Sequence, residues 1–322
     1  MTVKERLLPL LSETKFLSGE EAANKLNVSR TAVWKAVSAL KKDGYEIQAV
    51  TNKGYRLNKN TDVLNAGRIK SFLGPLSQKL YIDAEQTVTS TNALLKEKAA
   101  VGAPEGTVLI AAEQTAGRGR FSRKFYSPVG TGAYMSILLR PDMSAENAVL
   151  ITTAAATAVA LAAESLSCKK TEIKWVNDVL INGKKICGIL TEASLNIESG
   201  KLDYAVLGIG LNAYIPNGGF PKEIKDIAGA VFDEKKPDLR NCLVSEVLKN
   251  FFKYYRSLES RAFLNEYRSR SAVTGKKILV ISGGKAVPAT VLQIDDDCRL
   301  RVKYENGITE SLSSGEISTK LI

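Results

Sequence analysis

The chain opens on two helix-length stretches whose apolar residues fall on one face. Ser18-Gly-Glu-Glu-Ala-Ala-Asn-Lys-Leu predicts a capped helix, with Glu21 three residues after Ser18 in capping-box spacing. Asn27-Val28 makes a turn, and Ser29 caps a second helix over residues 30–42. On it Val33, Val37 and Leu40 recur at i, i+4 and i+7, with Ala36 beside them, so that side faces a core. The other side shows Thr31, Lys35, Ser38 and Lys42, flanked by Arg30 and Trp34. Residues 45–50 and 54–57 then predict a two-stranded wing. The connector Asn58-Lys-Asn-Thr-Asp62 is polar and has no long Gly/Ser run, so the domains it joins should be coupled.

After residue 62 the periods mix. Strand-like stretches fall at 108–112, 133–139, 172–176, 185–191 and 204–210, and helix-like ones at 92–98, 146–164 and 240–258. A long uncharged run, residues 148–163, is rich in Ala and Thr. It is shorter than the roughly 20 residues of a membrane span, which predicts a buried helix and no membrane partner. From about residue 276 the chain reads as strands at 277–281, 289–294, 300–304 and 308–312, with Asn306-Gly307 as a hairpin turn between the last two. These predict a small β-barrel. The domain expectation is therefore 1–62, 63–272 and 273–322, in an α+β multidomain chain.

Charge sharpens the reading of the first domain. The formal net charge of the whole chain is +11, and residues 1–60 hold 8 Lys and 3 Arg against 6 acidic residues, a local excess of +5. A helix, tight turn and second helix presenting short polar and basic side chains is what major-groove reading requires. Arg30, Thr31, Trp34, Lys35, Ser38 and Lys42 are the candidate DNA contacts. Histidine is absent, which excludes His triads, His general bases and His metal ligands. The four cysteines, Cys168, Cys187, Cys242 and Cys298, are scattered and fit reduced, mostly buried thiols of a cytoplasmic protein. The N-terminus is charged early and has no signal-peptide core.

Two stretches of the middle domain carry chemistry. Directly after the strand at 108–112 comes Gln114-Thr-Ala-Gly-Arg-Gly-Arg-Phe-Ser-Arg-Lys-Phe-Tyr-Ser-Pro128. Gly117 and Gly119 would let backbone amides approach an anion, while Arg118, Arg120, Arg123 and Lys124 place four cations within seven residues. This is a phosphate-binding device in kind, though a nucleic-acid patch or a mobile surface loop would also explain it. The second stretch is Lys174-Trp-Val-Asn-Asp-Val-Leu-Ile-Asn-Gly-Lys-Lys-Ile-Cys-Gly-Ile-Leu-Thr-Glu192. Asn182-Gly183 predicts a type I′ hairpin turn, after which Lys184 and Lys185 face opposite ways and one points towards the pocket side.

Read together, the two stretches resemble the biotin–protein ligase family over the whole chain. Gly-Arg-Gly-Arg at 117–120, Lys-Trp-x-Asn-Asp at 174–178 and Lys-x-x-Gly-Ile-Leu at 185–190 stand in the family's order. So do Ser90-Thr91-Asn92 upstream and Gly208-Ile-Gly-Leu-Asn212 downstream. The three-segment plan is similar to the biotin operon repressors, with one departure: Ser122 stands where many relatives have glycine. The resemblance implies a winged helix-turn-helix, a class II synthetase-like mixed α/β ligase domain and an SH3-like C-terminal barrel. It implies that biotin's carboxylate attacks the α-phosphate of ATP and that a lysine of an acceptor protein then attacks the adenylate. Both steps move negative charge on phosphate oxygens, so they need fixed donors and cations and no histidine.

By the same resemblance, Lys185, Arg118, Arg120 and Asp178 are the catalytic residues. Lys185 meets biotin and the α-phosphate, and Asp178 orients the acceptor lysine or takes its proton. Ser90, Thr91 and Gln114 hydrogen-bond the ureido ring, with Asn92, Trp175 and Gly188 nearby. Gly117, Gly119 and Arg123 belong to a loop ordering over the adenylate, and Asn212 lies near it. Magnesium arrives with the nucleotide, since no carboxylate cluster resembles a dedicated cage. The implied partners are a biotin carboxyl carrier protein, as in acetyl-CoA carboxylase, operator DNA, and a second copy of the chain once the adenylate is bound. Other readings are a repressor that binds a small molecule without catalysis, a lipoate ligase of similar fold, and a ligase whose winged domain regulates nothing.

Overall fold

A computed structural model describes residues 2–42, 44–58, 62–196, 198–282, 285–313 and 316–318, the side chains of Lys42, Ser282, Glu316 and Ser318 excepted. Most of the predicted connector, residues 59–61, lies outside the described residues, as do Gly315 and the last four residues.

The N-terminal unit comprises α1 (Val3–Leu7), α2 (Gly19–Leu26), α3 (Arg30–Lys42), β1 (Ile47–Val50) and β2 (Gly54–Leu57). Ser18 caps α2 by accepting from the Glu21 amide at 3.0 Å. The reciprocal half of the predicted capping box does not form, because the Glu21 carboxylate pairs with Lys25 at 2.8 Å one turn on. Asn27 ends α2 in the left-handed region, and Ser29 Oγ accepts from the Ala32 amide at 3.1 Å to start α3. Val33, Ala36, Val37 and Leu40 are buried with Leu7, Leu17, Leu26 and Ile47 in a core of their own. The β1–β2 wing is antiparallel.

The rest of the chain shares one continuous core that runs from Leu64 to Ile317. Its elements are α4 (Ala66–Leu73), β3 (Tyr81–Val88), α5 (Thr91–Ala100), β4 (Thr107–Gln114), β5 (Gly132–Leu139), α6 (Ala148–Ser167), β6 (Glu172–Lys174), β7 (Asp178–Ile181), β8 (Lys184–Leu195), β9 (Leu202–Asn212), α7 (Leu239–Tyr255) and α8 (Leu264–Ser269). The strands form one seven-stranded sheet, β3-β4-β5-β9-β8-β7-β6, antiparallel except for the β3–β4 pair. Strand β3 and helices α4 and α8 fall outside the predicted elements. Alternation decides the faces: Ala133, Met135, Ile137, Leu207, Ile209 and Leu211 point into the main core, under α6 and α7. Helix α6 is long and apolar enough to cross a membrane, but residues 150–160 are buried throughout, which marks a core helix.

On the opposite face, Leu109, Leu138 and Val206 pack against Leu95 and Ala99 of α5. Helix α5 covers only part of that face, and the remainder is a cleft.

The C-terminal strands are β10 (Lys277–Ser282), β11 (Lys285–Ile294), β12 (Leu300–Tyr304), β13 (Thr309–Leu312) and β14 (Glu316–Ser318). Their order is β13-β12-β11-β10-β14, with no pairing between the outer strands among the described residues, so the sheet is open where a barrel was expected. It joins the main core through Ile278, Val280, Val291 and Val302, and the Trp175 indole donates to the Cys298 carbonyl at 2.9 Å.

Two buried networks tie the start of the middle unit down. Arg240, 5% exposed, pairs through Nε with Asp62 Oδ2 at 3.0 Å, donates to the Asp62 carbonyl, and reaches the Gly132 carbonyl at 3.1 Å. Tyr214 donates its hydroxyl to Asp62 at 2.6 Å, and burial followed by the Asp62 charge pushes the phenol well above its ordinary range. Beside it, Asn241 accepts from the Asn65 amide and donates to the Val63 carbonyl, while Asn65 Nδ2 reaches Tyr45 of the N-terminal unit at 3.2 Å.

Candidate active site

The cleft has a volume of about 360 Å³ and three glycines in its floor. Gly208 and Gly210 alternate with Leu207, Ile209 and Leu211 on β9, and Gly188 of β8 stands opposite Gly210. Where other strands would project side chains into the cleft, these three positions project none. A Cβ on Gly210 would lie 2.5 Å from the Phe125 ring, one on Gly188 3.1 Å from that ring, and one on Gly208 2.3 Å from Asn92 Oδ1.

One wall is the basic loop. Gly117 O accepts from the Phe125 amide and Arg123 O from the Gly119 amide, so the loop folds back on itself as a tight hairpin. Gly117 is buried at its neck, where a Cβ would meet Phe125 O at 2.6 Å and Ser127 Oγ at 2.7 Å. Its glycine is thus required by the loop's own packing. Phe121 and Ser122 sit at φ 54° and 57° at the tip, where the Arg123 amide donates to Arg120 O. A side chain in that region costs about 1–2 kcal/mol, which glycine at 122 would avoid. Arg118, Arg123 and Lys124 are exposed around the mouth, and Arg120 Nη1 donates to Asn177 Oδ1 at 3.1 Å.

The other wall comes from β7 and β8. Asn182 and Gly183, at φ 51° and 72°, make the predicted turn. Strict alternation back from Gly188 would send Lys184 to the cleft and Lys185 to the core. A β-bulge intervenes: Val179 pairs with Cys187 but Leu180 pairs with Lys185, leaving Ile186 extra. The bulge turns Lys185 to the cleft side and leaves Lys184 exposed outside. Lys185 Nζ lies 2.7 Å from Asp178 Oδ1 and 6.0 Å from the Phe125 ring centre. Asp178 Oδ1 is buried and accepts no hydrogen bond from the described residues, so the contact is an ion pair alone. Behind the pair, burial pushes the Cys187 thiol well up, which leaves it inert.

The far end, at the start of α5, is a hydrogen-bonded chain. Thr91 donates both its amide (2.9 Å) and its hydroxyl (3.1 Å) to Gln114 Oε1, and Gln114 Nε2 donates to Ser127 Oγ at 3.1 Å. Ser90 caps α5. Asn92 is braced on every side: Ser136 Oγ lies 2.5 Å from its Oδ1, and its Nδ2 reaches Leu190 O and Glu192. Burial raises the Glu192 carboxyl, but the hydrogen bonds from Lys96 and Asn92 outweigh it and hold the group below its ordinary value.

Of the expected site residues, Ser90, Thr91, Asn92, Gln114, Arg118, Gly119, Arg120, Arg123, Trp175, Asp178, Lys185, Gly188 and Asn212 all line this one cleft. Gly117 does not line it. Trp175 is 3% exposed and mostly core, and Asn212 spends its amide on the Lys185 and Gly229 carbonyls. Reading the sequence missed Phe125, Asn177 and Lys174, which also line the cleft. Phe125 had one signal, an aromatic placed just after the basic run. Six cations, Arg118, Arg120, Arg123, Lys124, Lys174 and Lys185, face one carboxylate, Asp178, among the described lining residues. Such a cleft attracts a polyanion.

On the N-terminal unit, Arg30, Thr31, Trp34, Lys35 and Ser38 are all exposed on α3, and the side chain of Lys42 lies outside the described residues. Cys168 is exposed, against the expectation of mostly buried thiols, while Cys187 and Cys298 are buried.

Residues 84–212 match the biotin/lipoate A/B protein ligase family, residues 3–56 a helix-turn-helix domain, and residues 273–320 the biotin protein ligase C-terminal domain. The bifunctional ligase/repressor BirA of Bacillus spizizenii is 36% identical, over 97% of this chain and 98% of its own. The biotin–[acetyl-CoA-carboxylase] ligase of Mycobacterium tuberculosis is 32% identical over 73% of this chain and 88% of its own. Among solved structures, the biotin protein ligase of Aquifex aeolicus in complex with biotin and ATP is 26% identical, with a TM-score of 0.60, and covers 74% of this chain and 97% of that one.

Proposed function

Because the chain belongs to the biotin protein ligase family and carries the helix-turn-helix of its bifunctional ligase/repressors, we propose that its cationic cleft makes biotinyl-5′-adenylate from biotin and ATP. The chain is an ATP-dependent biotin ligase and a DNA-binding repressor. The proposal concerns how its residues do both. The observation that carries it is the convergence of six cations on one cleft floored by Gly188, Gly208 and Gly210.

We assign biotin to the floor over Gly188, Gly208 and Gly210, with its ureido ring towards Ser90, Thr91 and Gln114. Its carboxylate attacks the α-phosphate and pyrophosphate leaves. Lys185 follows the transferring phosphoryl group as a point charge, and Arg118, Arg120 and Arg123 close over the nucleotide. Magnesium is assigned to the nucleotide's own phosphates, which carry it in. In the second step an acceptor lysine of a biotin carboxyl carrier domain attacks the acyl carbonyl and AMP leaves. Asp178, held by Lys185, takes the amine's proton. Ile317 of β14 lines the cleft, and from it we assign the C-terminal sheet, as an SH3-like domain, to nucleotide and acceptor docking. We further assign the adenylate-bound chain to a homodimer on operator DNA, in the cytoplasm.

Incubated with biotin and ATP and then with an apo carrier domain, the chain should release AMP as the carrier lysine is acylated; an unmodified carrier would overturn the assignment. Lys35→Ala should weaken DNA binding and flatten its salt dependence while carrier acylation stays intact, because α3 lies outside the cleft. Loss of both activities would mean that the two units are not separable.

A further inference from the structure

Among the described residues between 2 and 58, Trp34 is the only large hydrophobic side chain left exposed, at 59%. It does not stand alone on its helix. Thr31, Trp34, Lys35 and Ser38 occupy i, i+3, i+4 and i+7 of α3 and are all exposed, opposite buried Val33, Ala36, Val37 and Leu40. An indole in the middle of the polar side of a capped helix lies outside the core of its unit and is open to a partner.

Resting on the repressor reading above, we propose that Trp34 is a specificity residue that packs against thymine 5-methyl groups on the floor of the major groove. Duplex chemistry narrows the choice. In paired DNA the aromatic faces of the bases are stacked on one another, and a helix in the major groove meets only base edges. Those edges carry hydrogen-bonding atoms and one apolar group, the thymine methyl. The indole is therefore matched to the methyl, while Arg30 and Lys35, exposed on either side of it, are matched to phosphates and guanine edges. Thr31 and Ser38 complete a strip that reads thymine by contact and its neighbours by hydrogen bonding.

The test uses the full chain with biotin and ATP, and a duplex enriched by that protein from a random-sequence pool. Affinity is measured for this duplex and for the same duplex with every thymine replaced by deoxyuridine, using the unsubstituted protein and Trp34→Ala. The unsubstituted protein should lose about fourfold for each methyl contacted, the equivalent of one buried methyl group. Trp34→Ala should bind the thymine duplex more weakly and respond little to the exchange, and Lys35→Ala should keep the methyl dependence. Equal losses on exchange in the unsubstituted protein and in Trp34→Ala would overturn the inference alone. Enriched sites without thymine would do the same. A selection that enriches no sequence would overturn the repressor reading, and the inference with it.

Discussion

Lys185→Ala is expected to slow biotin-dependent adenylate formation by about 10²-fold or more, the scale of removing one preorganised donor from a site of developing charge. The site is built around this ammonium. A bulge turns Lys185 inward, and Gly188 leaves it room, since a Cβ there would lie 3.0 Å from Nζ. Asp178 holds it at 2.7 Å, which fixes a flexible side chain before substrate arrives. Removing the lysine also strands a carboxylate whose Oδ1 is buried and accepts no hydrogen bond from the described residues, so the variant should be made with Asp178 intact and again with Asp178→Asn. If the ammonium itself stabilises the phosphoryl group, both versions stay slow. A near-normal exchange rate in either would move the charge-stabilising role away from Lys185. Lys185→Arg should not restore the rate, because a planar guanidinium is a fixed fork and not a compact point charge that can follow the transferring group.

The second large effect is on stability. Asp62→Ala should cost about 3–5 kcal/mol, the usual consequence of breaking a buried ion pair from one side. Arg240 is 5% exposed, and its guanidinium is spent on the Asp62 carboxylate, the Asp62 carbonyl and the Gly132 carbonyl. Without the carboxylate, the Tyr214 hydroxyl and the Arg240 amide also lose their acceptors. Asp62→Leu with Arg240→Met should be much milder than Asp62→Ala, because nothing charged stays buried. Urea unfolding followed by Trp175 fluorescence reads this directly, since Trp175 lies in the core shared by the middle and C-terminal units. A loss under 1 kcal/mol for Asp62→Ala would show that water reaches the arginine.

These two sites differ in how far the sequence disclosed them. Helix α3 was fully legible, because its buried face repeats at helical spacing and its cap is local: it spans the predicted residues 30–42. The hairpin at Asn182-Gly183 was legible for the same reason, since the turn chemistry lies in two adjacent residues. Lys185 was identified through the family resemblance. Alternation alone favours Lys184, and a bulge is a one-residue register change that no period records. The glycine floor was visible as Gly208-Ile-Gly-Leu-Asn212, though not as a floor, because that requires knowing that Gly188 pairs with Gly210. The Asp62–Arg240 pair joins residues 178 apart and left no trace. In the C-terminal sheet four of the five strands were legible, but not the three-residue β14 or whether the outer strands meet, because neither leaves a period in the sequence.

Biotin-dependent exchange of pyrophosphate into ATP tests the central claim most directly, with lipoate in place of biotin as the second arm. Exchange with biotin and none with lipoate is the expected result, since it requires reversible attack of a carboxylate on the α-phosphate inside this cleft. No exchange with either acid, from protein that still binds biotin, would contradict it and leave residues 117–120 as a binding loop without chemistry.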